Sequence, residues 1–156
     1  MTVYNKHQFP GRPDTRSVSQ RNWDAGQYPM FMDAEEINDP ARVRHGDLRD
    51  HQTLDHLREE KVEESKRSSN KYDGITAALR RKRGIMDDDE VPLYDDIAAN
   101  GVKKPITMDV PTEDTKGRAW MTNGHHRAFA AEDVQRKTGQ TRWLTVNWSD
   151  PSDQTV

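Results

Sequence analysis

The sequence contains no cysteine. That removes a disulfide framework, a thiolate metal site and a cysteine nucleophile together, and it fits a reducing cytoplasm. Large apolar side chains are scarce as well. Leu, Ile, Val and Phe make up 24 of 156 residues, about 15%, which is below the ordinary globular level. No stretch approaches the roughly 18 apolar residues of a membrane-spanning helix, and the N-terminus has no apolar signal region. The expectation is a soluble, cytoplasmic protein with no membrane partner. A strong charge of one sign is also missing: 24 Lys and Arg against 27 Asp and Glu leave a net −3. A protein built to coat nucleic acid carries a basic excess, so the balance argues against that class and leaves a local basic patch open. What is abundant is charge itself, at 33% of residues. Few apolar residues without charge repulsion imply a compact core carrying long polar extensions.

The chain divides by texture. Residues 1–26 hold Pro10, Gly11 and Pro13 and no apolar period, which reads as a flexible tail. Residues 27–148 read as one domain. It opens on a strand at Gln27–Met32, which Pro29 confines to a sheet edge or a strand start. A short helical turn at Asp33–Ile37 follows, closed by Asn38-Asp39-Pro40. Residues 41–90 form a charged, helical insertion. Its first helix, capped by Thr53 and running to Lys66, has too thin an apolar stripe for a central core helix. Its second, Gly74–Arg83, ends in Arg80-Arg81-Lys82-Arg83 before Gly84, an arrangement that suits the helix dipole and cap. A nucleic-acid or phosphate contact is the sharper reading of that cluster. The acidic run Asp87–Glu90 then reads as a linker that offsets it. His45, His51 and His56 are spaced six and five apart, so no two share a helical face, and they read as solvated rather than metal-binding.

From Val91 a core begins that extends to Trp148. A short helix at Leu93–Asn100 stops at Gly101. Ile106, Met108 and Val110 alternate with Thr107 and Asp109 in a half-buried strand. Arg118–Thr122 pairs with it as a hairpin. A helix then runs to about Lys137, burying Phe129, Ala130 and Val134, and Arg142–Trp148 is a last strand. Residues 149–156 form a polar tail.

Between the hairpin and that helix stands Met121-Thr122-Asn123-Gly124-His125-His126-Arg127-Ala128-Phe129-Ala130-Ala131. Strand, glycine turn and helix together make an anion pocket, because first-turn N–H groups have no helical partner and the dipole is positive there. Gly124 supplies positive φ and close backbone approach. Arg127 supplies a planar donor fork suited to phosphate. His125 and His126 point about 100° apart, so at most one faces a ligand well, and His titrates near neutrality.

Two boxes in order, Gly101-Val102-Lys103-Lys104-Pro105-Ile106 and then Gly124-x-x-Arg127-x-x-Ala130, resemble the ParB/sulfiredoxin superfamily, often labelled ParB-like nuclease. The first strand and turn, with the charged insertion behind them, look like its small phage and actinobacterial members. The resemblance implies an α+β fold, a small mixed sheet with flanking helices and a charged helical N-terminal extension. It also implies a nucleotide, a nucleoside di- or triphosphate such as CTP or ATP with Mg²⁺. The phosphates would lie on Asn123, Gly124, His125, His126 and Arg127, with Lys104 and Pro105 beside them. His126 and the acids Glu35 and Glu36 are the catalytic candidates the resemblance suggests, with Asp95 and Asp96 behind them. Sulfiredoxin chemistry is excluded, because position 125 is His and no Cys exists. The chain stops soon after Trp148, so the helix-turn-helix of partition proteins is not expected. Two functions remain open. One is a nucleotide-dependent hydrolase, phosphotransferase or nuclease. The other is a non-catalytic phage-type accessory or assembly protein that uses the fold to bind a phage or host protein or DNA.

Overall fold

The computed structural model describes Ala25 and residues 27–112 and 114–150. The expected tail at 1–26 falls, Ala25 apart, outside the described residues, as do residues 151–156 of the expected C-terminal tail. The elements in chain order are β1 (Phe31–Asp33), α1 (Ala34–Ile37), β2 (Val43–His45), α2 (Leu54–Ser65), α3 (Gly74–Arg83), α4 (Leu93–Asn100), β3 (Ile106–Asp109), β4 (Ala119–Asn123), α5 (His125–Thr138) and β5 (Trp143–Ser149).

The fold is α+β. Five strands form one mixed sheet in the order β1-β5-β3-β4-β2. β1 runs antiparallel to β5, β3 parallel to β5, β4 antiparallel to β3, and β2 parallel to β4. The expected edge position of the first strand is met, since among the described residues β1 pairs only with β5. Alternation drives the sheet's burial: Ile106 and Met108 of β3, Ala119 and Met121 of β4, and Leu144 and Val146 of β5 are all buried. Their side chains project to the face covered by α5, whose Ala128, Ala130 and Ala131 are small enough to let the helix lie close.

α5 is the central helix, and α1, α2 and α4 pack around it. Its opposite side buries Phe129 against Leu57 and Val62 of α2. The thin stripe on α2 is therefore enough for a second, smaller cluster. α2 begins where expected, with the Thr53 hydroxyl accepting the His56 N–H at 3.1 Å. Asp33 caps α1 in the same manner, accepting the N–H groups of Glu35 and Glu36.

The stretch 41–90 contributes more than helices. β2 joins the sheet beside β4, and this was not expected: a three-residue strand has too few positions to show an alternation. One consequence corrects the reading of the histidines. His45 is 2% exposed, stacked on Phe129 with ring centroids 4.3 Å apart. His51 and His56 are exposed, as expected.

Candidate functional site

The turn into α5 shows why a glycine stands there. Gly124 has φ 102°. A Cβ built on it would lie 2.4 Å from Ile106 Cγ2 and 2.9 Å from Ile106 Cβ. The same Cβ would approach Arg127 Nη2 to 3.1 Å, because the Arg127 side chain folds back across the glycine. Its Nη2 then donates to the Pro105 carbonyl at 3.0 Å. The two sequence boxes thus meet: Ile106 packs on Gly124, and Pro105 receives Arg127. Arg127 Nε is buried without a partner, and among the described residues Nη1 makes no hydrogen bond.

No side chain caps α5. Its first internal hydrogen bond runs from the Ala128 N–H to the Gly124 carbonyl, so the N–H groups of His125, His126 and Arg127 lack helical partners. They open on a cleft of about 480 Å³, within the range of small-molecule sites. The far wall is the loop before α3 and its first turns, with Ser68, Asn70, Tyr72, Asp73 and Arg81; Asp47, after β2, closes one end.

The two histidines leave the helix in different directions. His126 turns toward α2, its Nε2 3.2 Å from a Glu64 carboxylate oxygen. Burial lowers the His126 pKa although Glu64 opposes the shift; the same hydrogen bond holds Glu64 below the usual carboxylate range. His125 is buried and reaches β2, with Nδ1 2.9 Å from His45 Nδ1. Burial, above all, pushes His125 down to about 4 and His45 down to about 3. His125 Nε2 lies 3.4 Å from Asp47 Oδ1 and has no hydrogen-bond partner. Burial raises the Asp47 pKa, but His125 and Lys61 outweigh it and hold the carboxyl low.

Several expected site residues do gather here: Asn123, Gly124, His125, His126 and Arg127 all line the cleft. Others do not. Glu35 pairs with Arg136 at 2.8 Å and Glu36 with Arg42 at 3.5 Å. Arg136 stands eleven residues along α5 from His125, about 16 Å at 1.5 Å per residue, so Glu35 is far from this cleft, and neither acid lines it. Asp96 is tied to Lys103, and neither Asp95 nor Asp96 lines the cleft. Pro105 acts through its carbonyl on Arg127. Lys104 lies behind the far wall, donating to the Asn70 carbonyl at 3.3 Å and paired with Asp73 at 3.5 Å. The basic cluster divides: Arg81 lines the cleft, Arg80 pairs with Asp87 and Glu90, and Lys82 and Arg83 are exposed. The acidic run therefore does offset part of the cluster, as expected.

Sequence reasoning missed Asp47, Glu64, Tyr72 and Asp73, as well as His45 and Asn38 beneath the site. No spacing links them to Gly124; only the return of the charged stretch across the helix N-terminus does so. Ile106 and Arg127 cover Gly124 itself; what stays open to the cleft is the uncapped start of α5, whose N–H groups suit an anion such as phosphate. Among the described residues no group of three or more His, Asp or Glu is placed to hold a metal ion. Asp47 and Asp73 are the carboxylates that line the cleft. No helix among the described residues is long and apolar enough to cross a membrane. Comparison with models of protein families, with curated proteins and with solved structures finds no match.

Proposed function

We propose that the cleft at the start of α5 binds the phosphates of a nucleoside di- or triphosphate, CTP or ATP in class, on a fold of the ParB/sulfiredoxin kind. The observation that carries this reading is the uncapped start of α5: three N–H groups without helical partners, the positive end of the helix dipole, and a half-buried guanidinium beside them. The rest of the cleft suits the remainder of such a ligand. Tyr72 offers a ring for stacking, although Arg80 already lies over it at 4.3 Å, and Arg81 adds a second cation. Hydrolysis or transfer of the terminal phosphoryl group is the chemistry that fits a cleft holding both donors and acids.

The test is thermal-shift binding with CTP, ATP, GTP and ADP, with and without Mg²⁺, on wild type, Arg127→Ala and Arg127→Lys. A ligand at 100 times its Kd stabilises by about 2.7 kcal/mol. A shift with one nucleotide that is lost in Arg127→Ala supports the reading. No shift with any nucleotide refutes it.

One observation favours a second reading, that of a partner-binding accessory protein. α3 buries none of its residues, and its Ile75 and Leu79 are 80% and 45% exposed. An apolar stripe with cations behind it suits another macromolecule. Loss of partner binding on Ile75→Asp, with nucleotide binding unchanged or absent, would favour that reading.

A further inference from the structure

We propose that His125 Nε2 is the proton acceptor of the cleft, a general base for a water or alcohol nucleophile, held unprotonated and in position by a relay through His45 and Asn38. Asn38 Nδ2 donates to the Ala34 carbonyl at 2.8 Å and to the Ala128 carbonyl at 3.0 Å. Both amide hydrogens are therefore used, and the amide orientation is set. Its Oδ1 faces His45 Nε2 at 2.8 Å, and a carbonyl oxygen only accepts, so His45 carries its hydrogen on Nε2. Buried and pushed down to about 3, His45 is neutral, which leaves its Nδ1 bare. The His125 Nδ1 that meets it at 2.9 Å must then be the donor. His125, pushed down to about 4, is neutral too, so its Nε2 is bare.

His125 is 6% exposed, and that bare nitrogen is itself buried and has no hydrogen-bond partner. Beside it stands another acceptor, Asp47 Oδ1, at 3.4 Å. Lys61 Nζ holds the other carboxylate oxygen at 3.0 Å and keeps it ionised. Two acceptors 3.4 Å apart leave no room for a group between them and repel unless a donor reaches both from one side, and both residues line the cleft from which it would come. A base oriented by a second residue, which is oriented by a third, is the general form of an activated-nucleophile site. Protonation needs no rearrangement: Nδ1–H stays on His45, and the new Nε2–H points to Asp47. The charged groups around the ring are Asp47 after β2, Lys61 on α2, and His126 and Arg127 on its own helix. Asp47 favours the imidazolium and the other three oppose it.

This role rests on the nucleotide reading. In the step it supplies, a water oxygen bonds to the terminal phosphorus while the bond from phosphorus to the bridging oxygen breaks. The bond's electron pair leaves with the nucleoside diphosphate. The water proton passes to His125 Nε2 and from there to solvent.

The first test needs no ligand. Long-range ¹H–¹⁵N spectra of the full chain, ¹⁵N-labelled, at pH 7 should show His45 protonated at Nε2 and His125 protonated at Nδ1 with Nε2 bare. A proton on His125 Nε2 at that pH overturns the proposal. The second test is steady-state hydrolysis of ATP and CTP across pH. His125→Gln should lower kcat on the order of 100-fold, the usual worth of a general base, while keeping the nucleotide thermal shift. Asp47→Asn, a milder change, should move the acid limb of the rate profile to lower pH, because the imidazolium loses its counter-charge. Nucleotide binding without turnover in wild type, or with turnover kept within threefold in His125→Gln, overturns the base and leaves the phosphate reading standing. The absence of any nucleotide shift in wild type removes the phosphate reading and this step with it.

Discussion

Gly124 and Gly84 both adopt positive φ, 102° and 65°, and both stand beside cationic side chains. At Gly124 the backbone is wrapped: Ile106 and Arg127 occupy the space a side chain would need, and the helix it starts is the centre of the core. At Gly84 nothing lies within 4 Å of the missing Cβ, and the helix it ends buries none of its residues. The cations differ in the same way. Arg127 is folded onto the Pro105 carbonyl, whereas Lys82 and Arg83 stand in solvent. Glycine next to basic residues describes both regions, so composition alone does not separate a built pocket from a solvated helix end. Enclosure separates them, because only enclosed groups must find fixed partners.

The contrast can be broken most sharply at the glycines. Gly124→Ala adds both steric overlap with Ile106 and an unfavourable φ, and should cost about 3–5 kcal/mol; Gly84→Ala meets only the φ penalty, about 1 kcal/mol. Chemical denaturation of the two variants measures both, and equal losses would show that the Gly124 turn is not tightly enclosed. Side chains come next. Phe129→Ala empties the small cluster on α2 and removes the ring under His45, an expected loss of about 3–5 kcal/mol, against less than about 0.5 kcal/mol for Leu79→Ala on α3.

pH sharpens the comparison, because the buried histidines lie on one side of it. His125 and His45 hold about 4 and about 3 in the folded protein, against an unfolded value near 6.5. The unfolded chain therefore binds more protons between those limits, and stability falls as pH falls from about 6.5 to 4. The contribution is fully present above pH 6.5. His125 alone accounts for about 3 kcal/mol of it. Urea midpoints should drop steadily over that window, and His125→Gln should flatten the slope; a flat wild-type profile would mean that the pair is not buried neutral. The smallest effect belongs to the basic cluster. Arg80→Ala loses its pairs with Asp87 and Glu90 and should lower the melting temperature slightly, while Lys82→Ala should leave it unchanged. Thermal melts of the two at low salt compare them directly.

Much of the architecture was legible from local pattern. Ile106, Met108 and Val110 announced β3, Thr53 announced the start of α2, and Gly101 and Gly139 stand just past the ends of α4 and α5. The phosphate-loop candidates Asn123 to Arg127 were legible for the same reason: strand, glycine and helix are consecutive. The remainder of the cleft was not. β2 is too short to show a period, so His45 looked like a surface histidine in a charged stretch. Glu35 and Glu36 drew notice by following the first strand, yet their carboxylates turn to Arg136 and Arg42 rather than into the cleft. Asp47, Glu64 and Asp73 have no local signal, since a carboxylate in a charged segment is ordinarily solvated.

By itself the sequence determined what short-range sterics and periodicity decide: which segments are helix or strand, where they stop, and that one helix begins at a glycine followed by an arginine three residues on. The tertiary structure alone decided which polar groups lose water. His45 and His125 stand 80 residues apart and acquire their hydrogen-bonded state only because β2 enters the sheet beneath α5. Burial there lowers their affinity for protons, and the fixed Asn38 amide selects which nitrogen stays bare. A chain read in order holds none of that, because desolvation belongs to the assembled fold.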